Sequence, residues 1–215
     1  MIDARESCGA GASGQPQHTE RTFIHASVRN FGAILLAAGG STRLGTPKQL
    51  LKFRDRSLLR HTAEVALASN LDPVVVVLGA HADLLETELA GLQVRSVTNS
   101  AWQRGIGGSI RCGVQAVGRE GIEAVVIMLC DQPLVDSELI RRLVAAHRTT
   151  GSAVVASEYA GTRGVPALFS RAYLDTLASI PDDVGAKSII ERAGTAVHGV
   201  PFPGGAVDID TSMDY

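Results

Sequence analysis

The chain has 215 residues, 45% of them hydrophobic and 20% charged, with a formal net charge of −2. That composition supports a buried core without staples and excludes disorder throughout, and the near-neutral charge excludes the broad basic footprint of a nucleic-acid binder. No apolar run approaches the roughly 20 residues of a membrane helix, and Cys8, Cys112 and Cys130 lack CxxC spacing, so we expect a soluble, cytoplasmic protein without membrane or nucleic-acid partners.

Residues 1–30 are small and polar with no sustained period, which predicts a flexible N-terminal extension ahead of a single domain, residues 31–215. From Phe31 onward, short apolar and β-branched runs at 33–37, 74–78, 94–98, 124–129 and 153–156 read as strands covered on both faces. Between them lie helical patterns. Ser57 is placed to cap a helix with Leu59, Ala63, Ala66 and Leu67 on one face, and Leu84, Leu85 and Leu89 mark another after Gly79. Ser137 is read as the cap of a third, with Ile140, Leu143, Val144 and His147 on its inner stripe. The alternation predicts a three-layer, Rossmann-like α/β fold with a mainly parallel sheet, whose ligands gather at strand carboxyl ends.

The loop after the first strand, within LLAAGGSTRLGTPKQLL, carries Gly39, Gly40 and Gly45 with Arg43 and Lys48. Glycines admit a backbone path with positive φ that turns successive N–H groups toward one ligand, and the two cations add full charges, which suits a polyphosphate. It is neither a P-loop, which needs Lys and then Ser or Thr directly after the last glycine, nor a GxGxxG dinucleotide fingerprint. Further along, Asp131 in LCDQP ends an apolar run at the ligand-bearing edge, where a carboxylate suits Mg²⁺ shared with phosphate oxygens. Asp208 and Asp210 in VDIDT share one strand face and are the candidate second ligands. WQRGIGGSIRCG repeats the loop-to-helix device, with Gly107 and Ser109 near the helix start. The histidines lack zinc spacing, Ser41 and Ser109 lack a GxSxG elbow, and Cys130 reads as a core thiol.

The first loop resembles the LAAGxSxRxGxxKxLL signature of MobA-like nucleotidyltransferases, most closely the molybdenum cofactor cytidylyltransferase branch. The resemblance continues, in family order, through WQRGIGGSIRCG, CDQP, GVPALF, DDVGAK and DIDTSMDY. It implies Mg²⁺-dependent transfer of CMP from CTP to molybdopterin with release of pyrophosphate, and a recipient molybdoenzyme or its chaperone as partner. It assigns the nucleotide to Leu36, Ala37, Ala38, Gly39, Gly40, Gly45, Gly107 and Ser109, catalysis to Arg43, Lys48 and Asp131, and metal to Asp131 with Asp208 or Asp210. It assigns the acceptor to Gly164, Pro166, Asp183, Gly185 and Lys187. LAAG rather than LAGG resembles the cytidylyl over the guanylyl branch, with Ala38 narrowing the base site. This chain departs from the pattern at Gly108, Val165 and Asp182, where members often carry Ser, His and Gly. GTP in place of CTP, another phosphorylated acceptor, and a noncatalytic cofactor-carrying chaperone are the alternatives. Some members carry an oxidoreductase label, but the chain lacks the dinucleotide fingerprint of hydride transfer.

Overall fold

The computed structural model describes residues 30–40 and 46–207. Strand β1 spans Phe31–Leu36, and a two-stranded hairpin of β2 (Lys52–Phe53) and β3 (Arg56–Ser57) leads into helix α1 (Leu58–Ala68). Then follow β4 (Val74–Leu78), α2 (Ala82–Glu88), β5 (Arg95–Thr98), α3 (Ile106–Val117), β6 (Ala124–Leu129) and α4 (Ser137–Thr150). The chain continues with β7 (Val154–Tyr159), β8 (Thr162–Ser170), α5 (Leu174–Ala178), α6 (Ala186–Ala193) and β9 (Val197–Pro201).

Seven strands form one sheet in the order β5-β4-β1-β6-β8-β7-β9, with β8 antiparallel to both its neighbours and every other pair parallel. The mostly parallel α/β sheet expected from the alternation is therefore present. Side chains alternate across it, as a pleated strand requires. Phe31, Ala33 and Leu35 of β1 meet Leu59 and Ala63 of α1, Leu85 of α2 and Ile140 and Leu143 of α4 in one core. Ile34 and Leu36 face Ile110 and Val114 of α3, Leu174 of α5 and Ile189 of α6 in the other. Helices thus cover both faces.

Local differences from expectation have local causes. Helix α4 is capped by Asp136, whose carboxylate accepts from Leu139 N at 2.8 Å, and Ser137 becomes its first residue. Leu84, expected inward, is 50% exposed, and Leu85 alone of α2 is buried. His147 does lie on the inner side, edge-on to Phe31 and bonded to Ser152 O at 2.8 Å. The expected extension, apart from Asn30, lies outside the described residues.

Strand β8 escaped the sequence reading because Gly164 and Pro166 are poor strand formers. The β7–β8 register jumps between Ala156↔Ala167 and Ser157↔Gly164, so Val165 and Pro166 bulge out of the ladder. Side chains satisfy the carbonyls released there: Gln132 Nε2 donates to Val165 O at 3.2 Å and Ser157 Oγ to Pro166 O at 2.7 Å.

Candidate functional site

Strands β5, β4, β1 and β6 are mutually parallel, so the segments after them leave one edge of the sheet together. The segments after β1 and β4 are tied by the main chain: Ala37 N donates to Val77 O at 2.9 Å and Ala80 N to Ala38 O at 3.1 Å. Gln49, in a 3₁₀ turn at Lys48–Leu50, is buried and donates from Nε2 to Ala37 O at 2.9 Å and Gly39 O at 2.7 Å. One amide thereby ties the segment from Ala37 to Gly39 to the turn that carries Lys48. Neither Gly39 nor Gly40 adopts the positive φ expected of them; Gly40 is needed for space, since a Cβ there would stand 2.6 Å from Trp102 Cη2. Trp102 is consequently a wall of the site rather than core.

Between these segments and the start of α3 lies a cavity of about 370 Å³ lined by Leu36, Ala38, Gly39, Lys48, Trp102, Ser109 and Asp131, among others. Lys48 and Asp131 form an ion pair through Nζ and Oδ2, with side-chain exposures of 20% and 13%. The second carboxylate oxygen, Asp131 Oδ1, is buried and has no hydrogen-bond partner among the described residues, and the same holds for Gln132 Oε1 beside it. A buried unsatisfied acceptor is costly and calls for an explanation. A hard divalent cation is chemically suited to that oxygen. Among the described residues no group of three metal-ligating side chains comes together, and Asp208 and Asp210 lie outside them.

Cys130, fully buried next to Asp131, has its thiol pushed up to about 12 by burial first and by the Asp131 charge second, with Lys48 opposing. Its thiol is therefore protonated and inert as a nucleophile. Ser109 is buried at the cavity wall, where its Oγ accepts from Asn99 Nδ2 at 3.0 Å, leaving its O–H as a donor. Asn99 is itself fixed by Ala101 N, which donates to its Oδ1 at 3.1 Å.

Of the residues expected in the site, Leu36, Ala37, Ala38, Gly39, Lys48, Ser109 and Asp131 line this one cavity. Arg43 and Gly45 lie outside the described residues. Gly107 does not stand ready for a nucleotide: its N–H donates to Asp182 O at 2.8 Å, and a Cβ on it would lie 1.8 Å from Pro181 O. It is a spacer that lets two loops touch. Gly164 borders the β8 bulge and Pro166 lies in it, and Gln132 joins that bulge to the segment carrying Asp131. Gly185 caps α6 without a side-chain hydrogen bond and approaches Ile106, while Asp183 and Lys187 are exposed on the same turn. Gln49, Asn99 and Gln132 were not anticipated, because a buried amide carries no spacing signature.

A larger cleft, about 550 Å³, lies between α1 and the segment after β6 and includes Arg54, Arg56, His61, Glu64 and Leu134. Its polar groups are already engaged, Arg56 with Glu64 and His61 with Pro133 O at 3.2 Å. The smaller cavity, at the strand carboxyl ends with its orphaned carboxylate oxygen, is the candidate site.

A three-layer sheet with a glycine turn, a lysine and a metal-suited carboxylate at its carboxyl edge defines a nucleotide-handling α/β protein. Residues 33–197 match the MobA-like NTP transferase domain, and the chain belongs to that family. Over 116 residues it is 36% identical to nicotine blue oxidoreductase of Paenarthrobacter nicotinovorans, covering 54% of this chain and 56% of that protein. Over 135 residues it is 35% identical to the bifunctional protein GlmU of Streptomyces coelicolor, covering 60% of this chain and 27% of that one. The chain thus matches about half the length, or less, of these curated relatives. The crystal structure of Rv0371c from Mycobacterium tuberculosis H37Rv superposes with a TM-score of 0.76 and 30% identity, over 87% of this chain and 96% of that one. A manganese complex of Rv0371c gives a TM-score of 0.72 and 27% identity, over 86% and 96% of the two chains. No helix among the described residues is long and apolar enough to cross a membrane.

Proposed function

We propose that the chain transfers CMP from CTP to the phosphate of molybdopterin, releasing pyrophosphate. The observation that carries this is the Lys48–Asp131 pair facing the Gly39 turn with Asp131 Oδ1 unsatisfied. In the free protein each group masks the other's charge; an entering triphosphate takes the ammonium as a point charge and releases Asp131. A divalent cation on Asp131, with Asp208 and Asp210 as further candidate ligands, would supply positive charge to the phosphate oxygens, and the manganese complex of Rv0371c supports divalent metal use in the family. Mg²⁺ is the proposed ion.

The chemistry needs no dedicated base. An oxygen of the acceptor phosphate, already ionised at neutral pH, attacks the α-phosphorus; the bond from that phosphorus to the bridging oxygen breaks, and pyrophosphate leaves with the electron pair. Lys48 and Arg43 are assigned to the accumulating negative charge, Gln49 holds the glycine turn in shape, and Gly164, Pro166, Asp183, Gly185 and Lys187 are assigned to the acceptor. Ala38, at 7% exposure in the cavity wall, supports a pyrimidine over a purine base by leaving less room.

The test is pyrophosphate release with Mg²⁺ and each of CTP, GTP, ATP and UTP, with and without molybdopterin. Release with CTP that depends on the acceptor is expected, and Asp131→Ala is expected to abolish it while keeping the fold. Release preferring GTP would move the assignment to guanylyl transfer. No release with any nucleotide from folded protein would overturn it.

A further inference from the structure

The turn at Pro181–Gly185 is bound to the start of α3 by more than packing. Asp182 O accepts from Gly107 N at 2.8 Å, Arg111 Nη1 donates to Ile180 O, and the Asp182 carboxylate takes two guanidiniums, Arg104 Nε on Oδ2 at 2.8 Å and Arg111 Nη2 on Oδ1. The backbones meet so closely that a Cβ at Gly105 would stand 2.1 Å from Asp182 O. Gly105 and Ile106, just before and at the start of α3, line the cavity, while Asp183, Gly185 and Lys187 follow Asp182 directly.

We infer that Asp182 is a positioning residue that latches the acceptor-side turn onto the nucleotide-side wall, fixing the distance between the two substrates. This rests on the transfer reading above. The two arginines come from different segments, Arg104 from the 3₁₀ turn that begins at Trp102 and Arg111 from inside α3, so one carboxylate ties three pieces of chain. The nucleotide wall has independent support. Ser109 is held by Asn99, and Ile110 and Val114 anchor α3 in the core. The acceptor turn is anchored only at its two ends, by Ile180 before it and by Ala186 and Ile189 of α6 after it; between them Asp183 is exposed, Val184 is half-buried and Gly185 offers no side-chain cap. Loosening the latch therefore frees the acceptor side and leaves the nucleotide side in place.

The experiment compares the full chain with Asp182→Asn, which removes the charge, and Asp182→Glu, which keeps it. Trp102, the only tryptophan, lines the cavity and reports Mg·CTP binding by fluorescence. For Asp182→Asn the expected results are an acceptor KM raised on the order of 10-fold, a CTP Kd and a saturated kcat within about 2-fold of wild type, and recovery of most of the KM in Asp182→Glu, as for a charge-assisted bidentate contact. Hydrogen exchange across residues 181–187 should accelerate in Asp182→Asn while core strands keep their protection. A CTP Kd that shifts as far as the acceptor KM, or exchange that does not change, overturns the latch. Absence of turnover in the wild type counts against the transfer reading alone, because exchange and fluorescence still decide on the latch.

Discussion

The Lys48–Asp131 pair makes a quantitative demand on stability. Two unit charges about 4 Å apart interact by about 4 kcal/mol at an effective dielectric near 20, and desolvation of both groups takes back a good part. Removing one partner of a buried pair costs about 3–5 kcal/mol, and since these side chains keep 20% and 13% exposure we take about 2–3 kcal/mol for Lys48→Ala. That change leaves Asp131 with both oxygens deprived, Oδ1 being unsatisfied already. Asp131→Ala costs less, about 1 kcal/mol, because it deletes the orphaned oxygen and a lysine stem can carry its ammonium to water. The double variant should resemble the single lysine change in having no ion pair, yet leave no stranded charge, giving a coupling of about 2 kcal/mol. Urea unfolding is the assay: with an m-value of about 2 kcal/mol/M, Lys48→Ala moves the midpoint down by roughly 1–1.5 M. Single changes that add to within about 0.4 kcal/mol would refute the pairing as a structural unit.

Other consequences are as direct. Gln49→Ala removes two hydrogen bonds to Ala37 O and Gly39 O and should cost about 2–3 kcal/mol while weakening CTP binding; an unchanged fluorescence titration would show that Gln49 does not shape the loop. Gly113→Ala gains about 1 kcal/mol of helix propensity, but its Cβ would meet Ile34 Cγ2 at 2.4 Å, and overpacking costs about 1–3 kcal/mol, so the melting temperature should fall rather than rise. His61 has its pKa lowered chiefly by burial, with the Pro133 carbonyl opposing. The unfolded chain then binds more protons below about pH 6.5, so stability falls as pH drops through that value and levels off below the folded pKa. Comparing wild type with His61→Gln at pH 7.5 and pH 5 should show the smaller acid loss in the variant, and equal losses would contradict the burial effect.

The strands were legible where β-branched runs are covered by helices, as at Val74–Leu78 and Ala124–Leu129. β8 was hidden by Gly164 and Pro166, which only a bulge accommodates, and β9 by its short, half-exposed VHGVP. Lys48, Asp131 and Ser109 meet at one cavity, as their places after apolar runs and at a helix start led one to expect. The amides that hold them, Gln49 and Asn99, could not be expected, since their partners are backbone and hydroxyl groups fixed only by the fold. Gly107 reads in sequence as a residue that clears the backbone near a nucleotide; in the structure the clearance admits Pro181 O, and a glycine needed for one looks the same in sequence as a glycine needed for the other.

The central claim is that the α-phosphate of CTP is transferred to a phosphate acceptor. Incubating the protein with Mg²⁺, molybdopterin and CTP labelled at the α-phosphorus tests it directly. Label is expected in a cytosine dinucleotide of the acceptor, with unlabelled pyrophosphate in equal amount. Label remaining in CTP, or appearing in CDP, would contradict it.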